Sequence, residues 1–107
     1  MYQQSEDAKL VRVFKALADP KRLRMVQEIA AAGELSCGQV GELFHLSQPT
    51  ISHHLKILAE AGVLTVRESA QHHFISVNRT LIQQLAGVLP MQLAAAPARK
   101  RASNSRT

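Results

Sequence analysis

Ser36 and Ser47 each stand one position ahead of a short segment whose apolar residues fall at helical spacing, and only His45-Leu46 separates the two segments. Serine is favoured at a helix N-cap because its hydroxyl accepts a hydrogen bond from an otherwise unpaired first-turn amide. Ser36 and Gln39 add the Ser-x-x-Gln spacing of a capping box. In the first segment Val40, Leu43 and Phe44 are placed to face inward. In the second, an advance of about 100° per residue from Ile51 brings Leu55 to roughly 40° and Leu58 to roughly −20°, one narrow stripe. Two short capped helices joined by so tight a turn make the segment from Leu35 to Gly62 a helix-turn-helix.

The face opposite that stripe carries Thr50, Ser52, His53 and Lys56, with Gln48 and Pro49 in the first turn and His54 beside the stripe. These side chains suit a DNA major groove. Glutamine can pair bidentately with adenine, serine and threonine can bond bases or phosphates, and the threonine methyl can meet the methyl of thymine. The helix N-terminus at Ser47 offers free N–H groups and a positive dipole end to a phosphate, and Lys56 adds a point charge. On an isolated helix this would be only a solvated face; the turn before it and the segments after it favour double-stranded DNA as the partner.

Upstream, Leu10, Val11, Phe14 and Leu17 predict a first helix from Ala8 to Ala18, after a polar, flexible segment over 1–7. Asp19-Pro20 supplies an N-cap and a favoured first helical residue. A second helix follows from Pro20 to about Ala32, with Leu23, Val26, Ile29 and Ala30 as its buried stripe and Gly33 at the position after its end. After Gly62 the period shifts towards 2. Val63 to Glu68 and His72 to Val77, joined by Ser69-Ala70-Gln71, predict a β-hairpin. Asn78 can cap a last helix from Arg79 to about Leu89, which Pro90 ends. Residues 91–107, rich in Ala, Pro, Ser and basic side chains, read as a disordered tail. The fold class is mainly α (α+β): a winged helix-turn-helix over 8–90, with about five helices and a two-stranded hairpin wing.

The 107 residues suffice for one domain. So small a domain buries a modest core, which makes a second subunit a natural source of further burial. No apolar run approaches the roughly 18 residues of a membrane span. The N-terminus lacks the apolar core of a secretory signal, so the expected location is cytoplasmic. The single cysteine, Cys37, excludes an intramolecular disulfide. The net charge of +5 points to a polyanion until the charges are placed. Arg99, Lys100, Arg101 and Arg106 fall in residues 97–107, which hold no acid. Thirteen Lys and Arg less those four leaves nine against eight acids, a net of +1 for the rest of the chain. The case for nucleic acid therefore rests on local pattern, and the tail adds at most nonspecific attraction.

Three runs also carry a family resemblance: LADPKRLR from Leu17 to Arg24, Gly33-Glu34-Leu35-Ser36, and LSQPTISHHLKILAEAGVL from Leu46 to Leu64. Over roughly residues 8–80 the chain resembles the ArsR/SmtB family of bacterial winged-helix repressors. The resemblance implies a homodimer built through the first and last helices, here at Leu10, Val11, Phe14, Leu81, Leu85 and Val88. It implies repression by binding a palindromic operator, with release by an effector, in many members a metal ion. Its reading-helix contacts carry over to Gln48, Thr50, Ser52 and His53, with Lys56 beside them, and its wing contacts to Arg67, Gln71 and His72. The chain departs from the family in three places. Ser36 and Gly38 stand where thiolate sensors carry the two cysteines of a Cys-x-Cys. Residues 79–89 contain no His, Asp or Glu for a zinc-type site. The wing tip Ser69-Ala70-Gln71 lacks the usual basic-glycine turn. No cofactor or metal is expected, and the effector is unassigned.

Cys37 stands at a helix start, where the dipole lowers a thiol pKa. That makes a thiol-responsive repressor an alternative to the bland reading of Cys37 as a small packed side chain. His53-His54 and His72-His73 are adjacent pairs that diverge on a helix and on a strand, so neither pair chelates one ion readily. The chain has no phosphate loop, paired-carboxylate constellation or nucleophile elbow, so it is not read as an enzyme. A winged helix serving as a protein-interaction adaptor is the other alternative, but such a surface needs apolar or aromatic anchors on the reading helix.

Overall fold

The computed structural model describes residues 2–88. The expected end of the last helix at Leu89-Pro90 and the tail over 91–107 lie outside the described residues. The elements run α1 (Tyr2–Leu17), α2 (Pro20–Ala32), β1 (Leu35–Ser36), α3 (Cys37–Phe44), α4 (Gln48–Glu60), β2 (Leu64–Ser69), β3 (His72–Val77) and α5 (Arg79–Val88).

The apolar pattern alone starts α1 at Ala8, after a flexible segment; the structure starts it at Tyr2. Residues 2–7 contain no Pro or Gly, and their polar side chains give no apolar period from which to read a helix. The junction of α1 and α2 follows from one short run. Asp19 accepts a hydrogen bond from the Arg22 amide at 3.0 Å and so caps α2. The Arg22 guanidinium turns back and donates to the Ala16 carbonyl at 2.7 Å, satisfying an acceptor at the end of α1. Gly33, at φ 87, closes α2 by donating to the Ile29 and Ala30 carbonyls.

The core is shared by every layer. Val13 and Ala16 of α1, Met25, Val26 and Ile29 of α2, and Val40 of α3 meet Ile51, Leu55 and Leu58 of α4. Val63, Leu64, Ile75 and Leu85 close it from the wing and α5. The stripe predicted for α2 is buried at Val26 and Ile29 and half-buried at Ala30, but not at Leu23. Leu23 is exposed and Met25 is fully buried in its place, and on α3 Leu43 is likewise exposed. Spacing locates an apolar face only to within the width of a residue; the crossing helices decide which edge is covered.

The expected hairpin forms as β2 and β3, and the sheet extends it by one strand. Leu35 and Ser36 form a third, antiparallel strand, giving the order β1-β3-β2. Leu35 pairs with Ile75 and Ser36 with Phe74, while Arg67 of β2 faces Phe74 from the other side. A two-residue strand has no periodicity to read. It forms because Gly33 turns the chain back beside β3 before Ser36 begins α3. At the hairpin tip Ala70 has φ 56, a left-handed conformation more usual for glycine. Asn78 ties the wing to α5: its Nδ2 donates to the Gly62 carbonyl at 3.0 Å, and its Oδ1 accepts from the Leu81 amide at 3.2 Å.

Candidate DNA interface

Both serine caps form. Ser36 accepts from the Gln39 amide at 3.1 Å while the Gln39 side chain accepts from the Ser36 amide at 2.9 Å, a complete capping box. Ser47 accepts from the Thr50 amide at 3.4 Å, and its hydroxyl also meets the Thr50 hydroxyl at 2.9 Å. These two caps, with His45 at φ 55 between them, set α4 across α3. Ile51, Leu55 and Leu58 anchor α4 in the core, as the stripe predicts. Ser47, Gln48, Thr50, Ser52, His53 and Lys56 all stand exposed on its other side. The Ser47 and Thr50 hydroxyls are partly occupied by the cap, which leaves Gln48, Ser52, His53 and Lys56 as the less encumbered donors and acceptors.

Gln48 is supported by a residue that the sequence does not flag. A Cβ placed on Gly41 of α3 would lie 2.7 Å from Gln48 Nε2, so Gly41 leaves the room in which the Gln48 amide rests. Gly41→Ala is expected to change stability by less than about 1 kcal/mol, because the gain in helix propensity offsets the crowding. Its operator affinity should fall, because the Gln48 amide must move. Thermal melts and fluorescence anisotropy on the same preparation check this; equal affinity would mean that the resting position of Gln48 is irrelevant to binding.

His54 differs from His53. It is half-buried on the side of α4 near the start of α2, and its Nδ1 is buried with no hydrogen-bond partner among the described residues. Burial pushes its pKa below the ordinary 6.5, opposed by the Asp19 carboxylate and aided by Arg22, His53 and Lys21. The folded chain therefore binds a proton at His54 less readily than the unfolded chain. Stability from the neutral imidazole is present above the ordinary imidazole value and is lost as pH falls below it. His54→Gln should flatten the decline in melting temperature between about pH 7.5 and about pH 5.5. An unchanged decline would assign the acid sensitivity to other groups.

The wing places its residues unevenly. Gln71 and His72 are exposed at the tip. His73 points to the opposite face from His72 and pairs with Glu68 at 3.2 Å. Arg67, expected to contact DNA, is engaged within the protein. Its Nε and Nη2 donate to the two carboxylate oxygens of Glu34 at 3.1 and 2.9 Å. Its guanidinium also lies 4.6 Å from the centre of the Phe74 ring. Those two hydrogen bonds hold the Glu34 carboxyl below its usual pKa. No signal along the chain pairs residues so far apart in sequence.

Cys37 is placed as the packed side chain of the blander reading. It is half-buried beside a cleft of about 200 Å³ between α4 and the wing, lined also by Ser52, Lys56, Val66 and His73. Burial raises its thiol pKa, the reverse of the activation expected from the helix dipole. Among the described residues, no group of three or more His, Cys, Asp or Glu side chains is gathered to hold a metal ion. None of the described helices is long and apolar enough to cross a membrane.

The expected dimer residues divide into two sets. Val11, Phe14 and Val88 are 49%, 42% and 47% exposed on α1 and α5. Leu10 and Leu81 are partly covered and flank a cleft between these helices, and Leu85 belongs to the core of its own chain.

Known proteins match this arrangement. A family profile described as a helix-turn-helix domain matches residues 17–67. The transcriptional repressor SdpR of Bacillus subtilis is 39% identical over 71 residues, 66% of this chain and 78% of the relative. An arsenical resistance operon repressor of Staphylococcus xylosus is 33% identical over 76 residues, covering 71% and 72%. The fold matches the homodimeric winged helix-turn-helix DNA-binding domain Mb0332 of Mycobacterium bovis, described as a possible ArsR-family regulator. That match has a TM-score of 0.72 at 21% identity and covers 90% of this chain and 86% of that one. The capped helix pair, the polar outer face of α4, the hairpin that follows it and these relatives agree: the chain belongs to the ArsR family of winged helix-turn-helix transcription regulators.

Proposed function

We propose that the protein is a repressor that grips an inverted-repeat operator as a homodimer, α4 of each subunit reading a major groove and each wing touching flanking DNA. One observation carries this reading. α4 buries Ile51, Leu55 and Leu58 while presenting Gln48, Ser52, His53 and Lys56 outward from a capped N-terminus. The apolar side chains left exposed on α1 and α5 support a two-fold interface there, as does the homodimeric state of the M. bovis domain. The adaptor alternative lacks support, because the exposed face of α4 has no aromatic or large apolar anchor. The thiol-responsive alternative is weakened by the raised pKa of Cys37.

Selection of bound duplexes from random DNA should return an inverted repeat with half-sites about one helical turn apart. On that duplex, Gln48→Ala and His53→Ala should each cost roughly 1–3 kcal/mol and relax the preference at one base pair per half-site. Recovery of no sequence preference would overturn the reading. Losses that are uniform across sequences would reduce the two residues to phosphate contacts.

A further inference from the structure

The Glu34–Arg67 contact joins the segment between α2 and α3 to the outer strand of the wing. Glu34 follows the glycine that ends α2 and precedes β1, whose next residue but one, Ser36, caps the first helix of the helix-turn-helix. Arg67 lies midway along β2, on the strand of the sheet farthest from β1. Ser36, Phe74 and Arg67 stand in one register row across β1, β3 and β2. The Arg67 side chain follows that row, passes over the Phe74 ring and closes on both oxygens of Glu34. A two-stranded hairpin has little intrinsic rigidity. Its base is seated in the core through Val63 and Leu64, and its middle is held here by a two-residue strand and by this strap.

We propose that Glu34 and Arg67 are positioning residues for the wing, fixing its angle to the helix-turn-helix so that wing tip and reading helix engage one operator half-site together. The proposal rests on the operator-binding reading above and reassigns Arg67 from a DNA contact to an internal one. Geometry favours it over an idle surface pair. The guanidinium fork matches both carboxylate oxygens while its carbon lies over the Phe74 ring, an arrangement that a lysine cannot reproduce. Both side chains remain partly exposed, at 54% for Arg67 and 38% for Glu34, so the strap orients the wing more than it stabilises the fold.

The two roles for Arg67 predict opposite signs. If Arg67 served DNA and Glu34 merely competed for it, Glu34→Gln would free the guanidinium, remove a negative charge from a chain of net charge +5 and tighten binding. If the pair positions the wing, Glu34→Gln weakens operator binding despite the more favourable charge. The test uses the full chain, with anisotropy on the selected operator and on a scrambled duplex. Glu34→Gln and the charge-preserving Arg67→Lys are each expected to weaken operator binding by about 5- to 10-fold. Affinity for the scrambled duplex should hold or rise in Glu34→Gln. Amide hydrogen exchange in the free variants supplies a readout that needs no DNA: exchange should quicken in β2 and β3 and stay unchanged in α4. Operator affinity equal to or tighter than that of the native chain, or unaltered wing exchange, would overturn the proposal. Failure of the native protein to prefer any duplex would strike the operator-binding reading instead, and the exchange result would still decide whether the strap holds the wing.

Discussion

Replacing Phe14 with glutamate is expected to yield a folded monomer whose operator affinity is lower by a factor of about 10² to 10⁴, the avidity lost when two half-site contacts are no longer linked. Phe14 is 42% exposed in the single chain and lies outside the buried cluster, so a charge there does little to the core. Its neighbour Val11 and, on α5, Val88 are similarly exposed. A glutamate from each subunit at a two-fold interface would bring like charges together in a desolvated setting, which is costly. Sedimentation velocity reports the assembly state, and anisotropy on full and half operators reports the avidity. A Phe14→Glu variant that stays dimeric and binds the full operator normally would remove α1 from the interface.

The second large effect falls on stability. Leu58→Ala is expected to destabilise the fold by about 2–5 kcal/mol, from lost burial plus the cavity left behind. Leu58 is 0% exposed, at the end of the α4 stripe, and its carbonyl accepts from the Val63 amide at 3.0 Å. It therefore packs where the reading helix gives way to the wing. A domain of this size is commonly stable by about 5–15 kcal/mol, so the variant would spend much of its reserve and melt well below the native chain. Urea unfolding of Leu58→Ala beside Ser52→Ala, an exposed change on the same helix, provides the comparison. A loss under about 1 kcal/mol at Leu58 would show that the α4 stripe is not the keystone of the core.

The elements with local signals were legible from residues alone. Asp19-Pro20, Ser36 with Gln39, and Ser47 each act within one turn of chain, so the helix starts at Pro20, Cys37 and Gln48 could be read before any packing was known. The α4 stripe was legible because Ile51, Leu55 and Leu58 are large and evenly spaced. The Leu23 and Leu43 positions misled, since both satisfy helical spacing but the described elements leave about half of each exposed. The start of α1 was missed because its first residues are polar and a polar helix leaves no period.

For the interface, the sequence alone determined the capped helix pair, the polar residues on the outer face of α4 and the hairpin after Gly62, because each depends on chemistry within a few neighbouring residues. Packing of the whole chain settles that Leu35 and Ser36 form a third strand, that Gly41 makes room for Gln48, that burial raises the Cys37 pKa, and that Arg67 closes on Glu34. Each of these depends on which segments of chain meet in space. Residue types and spacings carry the propensity to form an element, but the contact between two distant elements is set by how all of them pack at once.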